Sequence, residues 1–286
     1  MFRYFVAVLF VFSLLALGCG GHTKPAQDGA KNGQPTATPE KFVLAGSGAN
    51  LPITAKLAEA YLAKTGVAIE LPGSIGSNGA VNAVRAGSLE LGLVSRPLTD
   101  KESAEGLKAI PYAQIAAVFG GHAEVPDTAF SSQDILAILR GTKTTWADGS
   151  KMYVFVREPS DSANQQLYEQ IPGYEQALRE AIEDRRWQVI YRDSDMGDIM
   201  TKTKGSFGLI NMLEVARSSG QIKPMVLDGV APTPENIANG SYMPVLTLSF
   251  LYKGELTARA ASFVAFASSS EARKIMVQAG VVPAGR

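Results

Sequence analysis

Three short segments rich in glycine and serine hold the residues of this chain that are best suited to binding chemistry. Their sequences are GSGAN at 46–50, SIGSNG at 74–79 and, after an arginine, REPSDSAN at 157–164. Each segment is placed to open a helix, where unpaired backbone N–H groups and a partial positive charge attract anions. Glycine lets the backbone approach a ligand closely, and serine adds a hydroxyl donor. Together the segments predict a pocket for a small oxyanion.

Residue types for catalysis or metal binding are scarce. His22 and His122 are the two histidines, and Cys19 is the only cysteine. These numbers leave no Cys/His metal cluster and only His122 as the base of a catalytic triad. A phosphatase that uses the same pocket is an alternative, but no nucleophile–base pair is evident. We therefore predict a binding protein that is not an enzyme and that uses no metal or cofactor.

The charge of the chain is balanced. Among 286 residues, 27 are basic and 27 are acidic, and 46% are hydrophobic. This composition offers no basic field to hold a nucleic acid or a membrane surface, so we expect no nucleic-acid partner. Any anion must be recognised by local geometry.

The N-terminal part has the pattern of an export signal followed by a tether. Residues 1–3 carry one positive charge, residues 5–17 are an apolar run, and Cys19 follows a small residue. This pattern resembles a bacterial lipoprotein processing site, so we predict a signal peptide over 1–19 with a lipid on Cys19. A plain secretory signal with an incidental cysteine is the alternative. Residues 20–40 are polar and rich in Gly, Pro and Thr, which predicts a flexible linker.

The elements predicted around the three segments place the pocket at one edge of a sheet. Alternating strands and helices indicate a parallel α/β sheet, in which ligands lie at the carboxyl ends of the strands. The first strands are predicted over 41–44, 67–71 and 89–95. One helix is predicted from 52 to 66, and a second helix, which follows the second glycine segment, is predicted to end at 87. Further strands are predicted over 113–119, 152–156, 189–191, 208–211, 223–227 and 245–252, and further helices over 132–140, 164–170, 174–185 and 256–280.

Several ordered motifs resemble one known family, the substrate-binding proteins of bacterial phosphate ABC transporters. Besides the first two glycine segments they are SRPL at 95–98, WADGS at 146–150, GSFGLI at 205–210, ENIANGSYMP at 235–244 and FVAFASSSEARKIMVQAGVVP at 263–283. The resemblance implies an α/β, two-lobed periplasmic-binding-protein (type II) fold with a hinge of two crossing strands, near 113–119 and 245–252. Residues 41–115 and 242–286 would form one lobe, and residues 116–241 the other.

The same resemblance implies a function. Inorganic phosphate would be held between the lobes and delivered to the permease subunits of an ABC importer. The protein would be exported, monomeric and anchored to a membrane through the lipid on Cys19. Two alternatives stay open: a binding protein for another oxyanion such as sulfate or molybdate, and a signalling protein that presents its closed form to a membrane sensor.

The residues expected to contact the anion fall in the three segments and at the end of the third strand. Ser47 and Ser77 would donate hydroxyls, and the planar fork of Arg157 would hold two anion oxygens. The structural alternatives are that Ser77 only caps its own helix and that Arg157 only pairs with a nearby carboxylate. The full set is Ser47, Gly48, Ala49, Asn50, Ser77, Asn78, Ser95, Arg157, Asp161, Ser162 and Ala163.

Two positions depart from the family pattern. Ser95 and Arg96 stand where many members carry an aspartate that accepts the proton of hydrogen phosphate, and Asp161 begins a triplet that is usually Ser-Gly-Thr. One hypothesis is that Asp161 supplies the missing acceptor from the opposite lobe. The other is that Asp161 caps the following helix and pairs with Arg157. Arg96 is either a second cationic contact or part of a salt bridge outside the site.

Overall fold

A computed structural model of the chain describes residues 42–285. The predicted signal peptide, the anchor Cys19 and the linker over 20–40 lie outside the described residues. Among residues 42–285, no helix is long and apolar enough to cross a membrane.

The described part of the chain contains twelve strands and eleven helices. The strands are β1 (Phe42–Gly46), β2 (Ile69–Glu70), β3 (Leu91–Val94), β4 (Leu107–His122), β5 (Ala129–Phe130), β6 (Tyr153–Arg157), β7 (Gln188–Ile190), β8 (Ser206–Asn211), β9 (Ile222–Pro224), β10 (Val226–Leu227), β11 (Val245–Lys253) and β12 (Val282–Pro283). The helices are α1 (Leu51–Thr65), α2 (Gly76–Arg85), α3 (Asp100–Ala104), α4 (Ser132–Leu139), α5 (Ser162–Gln170), α6 (Tyr174–Glu183), α7 (Asp193–Lys202), α8 (Met212–Arg217), α9 (Pro234–Ala238), α10 (Ala258–Ala267) and α11 (Ser270–Gln278).

The first three strands have the parallel arrangement predicted from the sequence. β1 pairs in parallel with β2 on one side and with β3 on the other. α1 follows β1 and α2 follows β2, so the first two glycine segments leave the carboxyl ends of neighbouring strands. Leu44, Ile53 and Phe263 are fully buried in the core that covers this part of the sheet. We call the part built on β1, β2, β3 and β11 lobe 1.

One long strand, β4, connects lobe 1 to the rest of the sheet. β4 pairs antiparallel with β11 over Leu107–Ala116 and with β8 over Ala117–Gly121. β11 also pairs antiparallel with β3, so the order β2-β1-β3-β11-β4-β8-β6-β7 is continuous. We call the part built on β6, β7 and β8 lobe 2. β4 and β11 include the segments predicted as crossing strands, while the exact lobe boundaries stay a prediction.

Lobe 2 repeats the placement seen in lobe 1. β6 is parallel to both of its neighbours, β7 and β8, and Arg157 is its last residue. The arginine segment therefore leaves the carboxyl end of a strand, as the other two segments do. The helix that follows, α5, begins at Ser162 and not at the predicted residue 164, because Asp161 caps it.

Two predicted elements are each divided in the structure. The helix predicted over 256–280 is two helices, α10 and α11, because the backbone at Ser269 is extended and its hydroxyl accepts a hydrogen bond from the N–H of Ala272. The strand predicted over 223–227 is also two strands. β9 pairs with β4, whereas β10 pairs with β5 in a separate small sheet.

The sequence prediction omits α3, although its start is readable in the sequence. The hydroxyl of Thr99 accepts from the N–H of Glu102, and the Glu102 side chain accepts from the N–H of Thr99. This capping box is the T-x-x-E pattern that marks a helix N-terminus.

Candidate anion-binding site

The three glycine and serine segments meet in one polar cavity. Its volume is about 260 Å³, which is below the usual range of about 300–1,000 Å³ for pockets that hold drug-sized ligands. A small anion therefore fits the space better than a large organic molecule. The cavity is lined by Ser47, Gly48, Ser74, Ile75, Gly76, Ser77, Asn78, Arg157, Glu158, Ser160, Asp161, Ser162, Tyr191 and Asp193.

The first segment presents Ser47 and Gly48 to the cavity. The N–H of Ser47 donates to Leu93 O (2.9 Å), which ties the segment to the neighbouring strand. Within residues 42–285, no hydrogen-bond partner is found for the amide of Gly48 or that of Ala49. Ala49 is buried and does not line the cavity. Gly48 therefore carries the accessible amide of this segment.

Asn50 differs from the prediction. Its backbone amide donates to Ser47 O (3.1 Å), so the turn itself uses this N–H, although Asn50 was expected to contact the anion. Its side chain is fully buried and donates to the hydroxyl of Tyr112 (3.0 Å) and to Val94 O (3.3 Å). Asn50 therefore holds the first segment in its conformation through buried hydrogen bonds and does not face the cavity.

A chain of serine hydroxyls connects the three segments. Ser47 Oγ lies 2.7 Å from Ser95 Oγ, and Ser95 Oγ lies 3.5 Å from Ser77 Oγ. Ser77 Oγ then lies 3.1 Å from Ser162 Oγ in lobe 2. Ser95 is almost completely buried behind the cavity lining, and its N–H also donates to Ser77 (3.2 Å). Ser95 supports the two hydroxyls that face the cavity.

Arg157 is the buried cation of the site. It is only 5% exposed, its Nη2 donates to Asp161 Oδ2 (2.7 Å), and Nη2 also lies 3.4 Å from Asp193 Oδ2. Within the described residues, its Nη1 is buried without a hydrogen-bond partner. Burial lowers the pKa of Arg157, but the charges of Asp161 and Asp193 outweigh that effect and raise the pKa. The guanidinium therefore stays charged and keeps one nitrogen available for an anion.

The backbone around Arg157 is held by Asn164. Asn164 Nδ2 donates to the carbonyl oxygens of Arg157 (3.1 Å) and Glu158 (2.7 Å). Its Oδ1 accepts from the buried hydroxyl of Tyr174 (2.9 Å). This fixed segment holds the guanidinium in one position before any ligand arrives, which limits the ordering cost of binding.

Asp161 caps helix α5 and pairs with Arg157, which is the second of the two hypotheses drawn from the sequence. Its Oδ1 accepts from the N–H of Ala163 (2.9 Å), and its Oδ2 accepts from Nε (3.2 Å) and Nη2 of Arg157. Both carboxylate oxygens are therefore engaged by groups of lobe 2. The Ala163 amide is also used within its own helix cap, which differs from its predicted role as a donor to the anion.

Arg96 lies in a salt bridge outside the cavity. Its guanidinium binds both oxygens of Glu102 (2.8 and 2.9 Å), and Nη2 also donates to Asn78 Oδ1 (2.8 Å). The Arg96 hydrogen bond lowers the pKa of Glu102 to about 2, although burial opposes the shift. The network steadies Asn78, which lines the cavity at the start of α2.

Asp193 and Tyr191 line the cavity from outside the three predicted segments, and the sequence analysis missed both. Asp193 is the first residue of α7, and its Oδ1 accepts from Asn211 Nδ2 (2.9 Å). Burial raises the pKa of Asp193 to about 6, because it outweighs the opposing charge of Arg157. One signal was available: Asp193 follows β7 closely, and the carboxyl ends of strands in such sheets carry ligand-binding residues.

A metal centre is not part of this arrangement. In the described part of the chain, no group of three or more His, Cys, Asp or Glu side chains is placed to hold a metal ion. The chemistry of the cavity is that of hydroxyls, amides, one guanidinium and carboxylates.

The α/β fold of two connected lobes, with a small polar cavity that both lobes line, defines the class of protein. The sequence profile of the PBP superfamily domain matches residues 31–271, and the chain belongs to this superfamily. The predicted two-lobed binding-protein fold is confirmed.

Within this superfamily, the chain is similar to several phosphate-binding proteins. The phosphate-binding protein PstS 2 of Streptococcus agalactiae is 35% identical over 127 residues, which cover 43% of this chain and only 42% of that protein. The phosphate-binding protein PstS of Bacillus subtilis is 24% identical over 284 residues, covering 95% of this chain and 90% of that protein. A Clostridium perfringens protein assigned to the phosphate ABC transporter substrate-binding proteins, solved with bound phosphate, has a TM-score of 0.77 at 24% identity and covers 86% of this chain and all of that chain.

Proposed function

We propose that this protein binds inorganic phosphate between its lobes and delivers it to an ABC-type importer. The observation that carries the proposal is the buried Arg157, whose Nη1 is unpaired within the described residues and which lines a small cavity together with the hydroxyls of Ser47, Ser77 and Ser162. A planar guanidinium and converging hydroxyls suit a tetrahedral oxyanion. The names of the relatives, which are phosphate-binding proteins, support phosphate as that anion.

The proposed contacts come from both lobes. Lobe 1 contributes Ser47, the amide of Gly48, and Ser77 at the start of α2, while lobe 2 contributes Arg157 and Ser162. Hydrogen bonds to charged groups are worth about 1.5–3 kcal/mol each. A few of them, after the cost of desolvation and ordering, suffice for tight binding of a small ion. Asp161 acts in this proposal by orienting the guanidinium.

The wider organisation of the protein follows the same proposal. Residues 41–115 and 242–286 form one lobe and residues 116–241 the other, and β4 changes partner from β11 to β8 between Ala116 and Ala117. The protein is exported, monomeric and held at a membrane by a lipid on Cys19, which the apolar run before that cysteine supports. Closure over the anion creates the surface that the permease subunits recognise.

Calorimetric titration of the phosphate-free protein tests the proposal. We expect saturable binding of phosphate, with much weaker binding of sulfate and molybdate. Arg157→Gln should weaken phosphate binding at least 100-fold, because a charge-assisted donor is lost. The control is Arg179→Gln, since Arg179 lies on the surface and pairs with Glu175 within α6. A protein that binds no phosphate contradicts the proposal.

A binding role without catalysis has its own test. The residues that line the cavity include neither histidine nor cysteine, so none of them forms a His–Ser or His–Cys pair. We expect no hydrolysis of a chromogenic phosphoester above background. Hydrolysis that disappears in Arg157→Gln would contradict the binding-protein assignment.

A further inference from the structure

Asp193 reaches across the cavity from lobe 2 towards lobe 1. Its Oδ2 lies so close to Gly48 that a Cβ added at that glycine would stand only 2.4 Å away. The same oxygen is 3.4 Å from Arg157 Nη2, which is outside good hydrogen-bond distance, while Oδ1 is held by Asn211. Asp193 Oδ2 is therefore held less tightly than Oδ1 and than either carboxylate oxygen of Asp161.

The charges around Asp193 are unbalanced. Arg157 faces it from the end of β6, Asp161 from the cap of α5, and Glu214 from α8. Glu214 is neutralised by Arg217, whose Nε lies 2.6 Å from it. On the lobe 1 side, the neighbouring Gly48 and Ser74 are uncharged. One guanidinium thus pairs with two carboxylates, Asp161 and Asp193, and a third carboxylate that lines the cavity, Glu158, adds to the negative charge around it.

An unprotonated oxyanion would meet Asp193 unfavourably. Its oxygens would face a carboxylate oxygen with no hydrogen between them, in a cavity where charges are poorly screened. A protonated oxyanion carries a hydroxyl that donates to Asp193 Oδ2, and the contact becomes a charge-assisted hydrogen bond. Asp161 cannot take this role in the same way, because both of its oxygens already accept from Arg157 or Ala163.

We propose that Asp193 is the specificity-determining residue of this site, and that it accepts a hydrogen bond from the hydroxyl of a protonated tetrahedral oxyanion. The inference rests on the proposed function and deepens it. Because Asp193 belongs to lobe 2 and lies against Gly48 of lobe 1, the acceptor is in place only when the lobes are closed. The site therefore distinguishes protonated from unprotonated anions when the lobes close, and not when the anion first binds to lobe 1.

The first test compares phosphate and sulfate on three forms of the purified protein by calorimetry. The unmodified protein should prefer phosphate strongly, and Asp193→Asn should lower the phosphate-to-sulfate affinity ratio at least 100-fold, since an amide can donate to sulfate. Asp195→Asn is the matched control, because Asp195 is half-exposed in the same helical turn and pairs with Arg192. Its ratio should match that of the unmodified protein.

The second test needs no variant and keeps the inference open to contradiction if Asp193→Asn fails to fold. Sulfate is fully ionised between pH 8 and pH 5, so a change in its affinity reports on the protein. We expect its affinity for the unmodified protein to rise at least tenfold as the pH falls through about 6, where Asp193 takes up a proton.

The outcomes separate the two claims. Phosphate binding with an unchanged preference in Asp193→Asn, or sulfate affinity that is flat with pH in the unmodified protein, overturns the role of Asp193 and leaves the proposed function standing. Failure of the unmodified protein to bind phosphate overturns the proposed function, and the role of Asp193 with it.

Discussion

The hydroxyl oxygens of Ser77 and Ser162 lie 3.1 Å apart, although 85 positions separate the two residues in the chain. Ser77 belongs to the first turn of α2 in lobe 1, and Ser162 is the first residue of α5 in lobe 2. The N-termini of two helices from different lobes therefore meet at the cavity. Because the contact joins the two lobes, we expect it to form only when they are closed.

A disulfide at this contact should lock the protein closed. We expect Ser77→Cys combined with Ser162→Cys, in a Cys19→Ser background, to form a disulfide readily when phosphate is bound, because the two side chains already meet. Release of radiolabelled phosphate should then slow at least tenfold and recover on reduction. Each single cysteine variant is the control. Unchanged release from the oxidised double variant would show that this contact does not report on closure.

A methyl group at Gly48 should obstruct closure. The added Cβ would lie 2.4 Å from Asp193 Oδ2 and 3.2 Å from Ser74 Oγ. We expect Gly48→Ala to weaken phosphate binding at least tenfold and to leave the lobes more open in small-angle X-ray scattering. Gly73→Ala is the matched control, because a Cβ there meets nothing within 4 Å. Equal affinities for the two variants would contradict the close approach at Gly48.

Removal of the Asp193 charge should stabilise the phosphate-free protein at alkaline pH. The folded-state pKa of Asp193 is raised to about 6, so its contribution to stability is present at low pH and is lost as the pH rises through 6. Asp193→Asn should therefore be more stable than the unmodified protein by about 2 kcal/mol at pH 8, and the difference should vanish near pH 4. Urea unfolding at pH 4, 6 and 8 measures it, with Asp195→Asn as the control. A gain that is the same at every pH would not come from the titration of Asp193.

The buried pair of Arg96 and Glu102 should matter for stability near neutral pH. Glu102→Gln leaves a buried guanidinium without its charge partner, which costs about 3 kcal/mol. The folded-state pKa of Glu102 is lowered to about 2, so its contribution is present above about pH 4.5 and is lost as the pH falls towards 2. The difference between the two proteins in urea unfolding should thus shrink from pH 7 to pH 3.

A nearby surface pair provides the comparison for that variant. Glu105 binds Arg85 at 2.6 Å, but both side chains are about one-third exposed. Glu105→Gln should cost no more than about 1 kcal/mol, because solvent screens exposed ion pairs. Equal losses for Glu102→Gln and Glu105→Gln would mean that burial adds nothing to the Arg96 pair.

Much of the site could be predicted because its signals are local. A strand that ends in a run of glycine and serine before a helix marks an anion-binding turn without knowledge of the rest of the fold. Ser47, Gly48, Ser77, Arg157 and Ser162 all line the cavity in the structure. Family resemblance added the order of the lobes, which composition and periodicity do not provide.

The local sequence could not predict which backbone N–H groups of each turn are used inside the turn and which stay available to a ligand. The amides of Asn50 and Ala163 are taken by Ser47 and Asp161, so these two residues shape the segments they belong to. The two readings of Asp161 were equally compatible with the sequence. The structure shows the capping and pairing arrangement, since Asp161 is held by the helix on one oxygen and by Arg157 on the other.

The sequence by itself determined the three segments, the arginine at the end of a strand and the class of ligand they suit, because backbone conformation and side-chain chemistry act over a few residues. Only the tertiary structure decided that a second carboxylate, besides the nearby Asp161, stands beside that arginine. Asp193 lies 36 positions after Arg157 and follows β7, which pairs with β6. Strand order sets this neighbourhood, and strand order depends on how distant segments pack together.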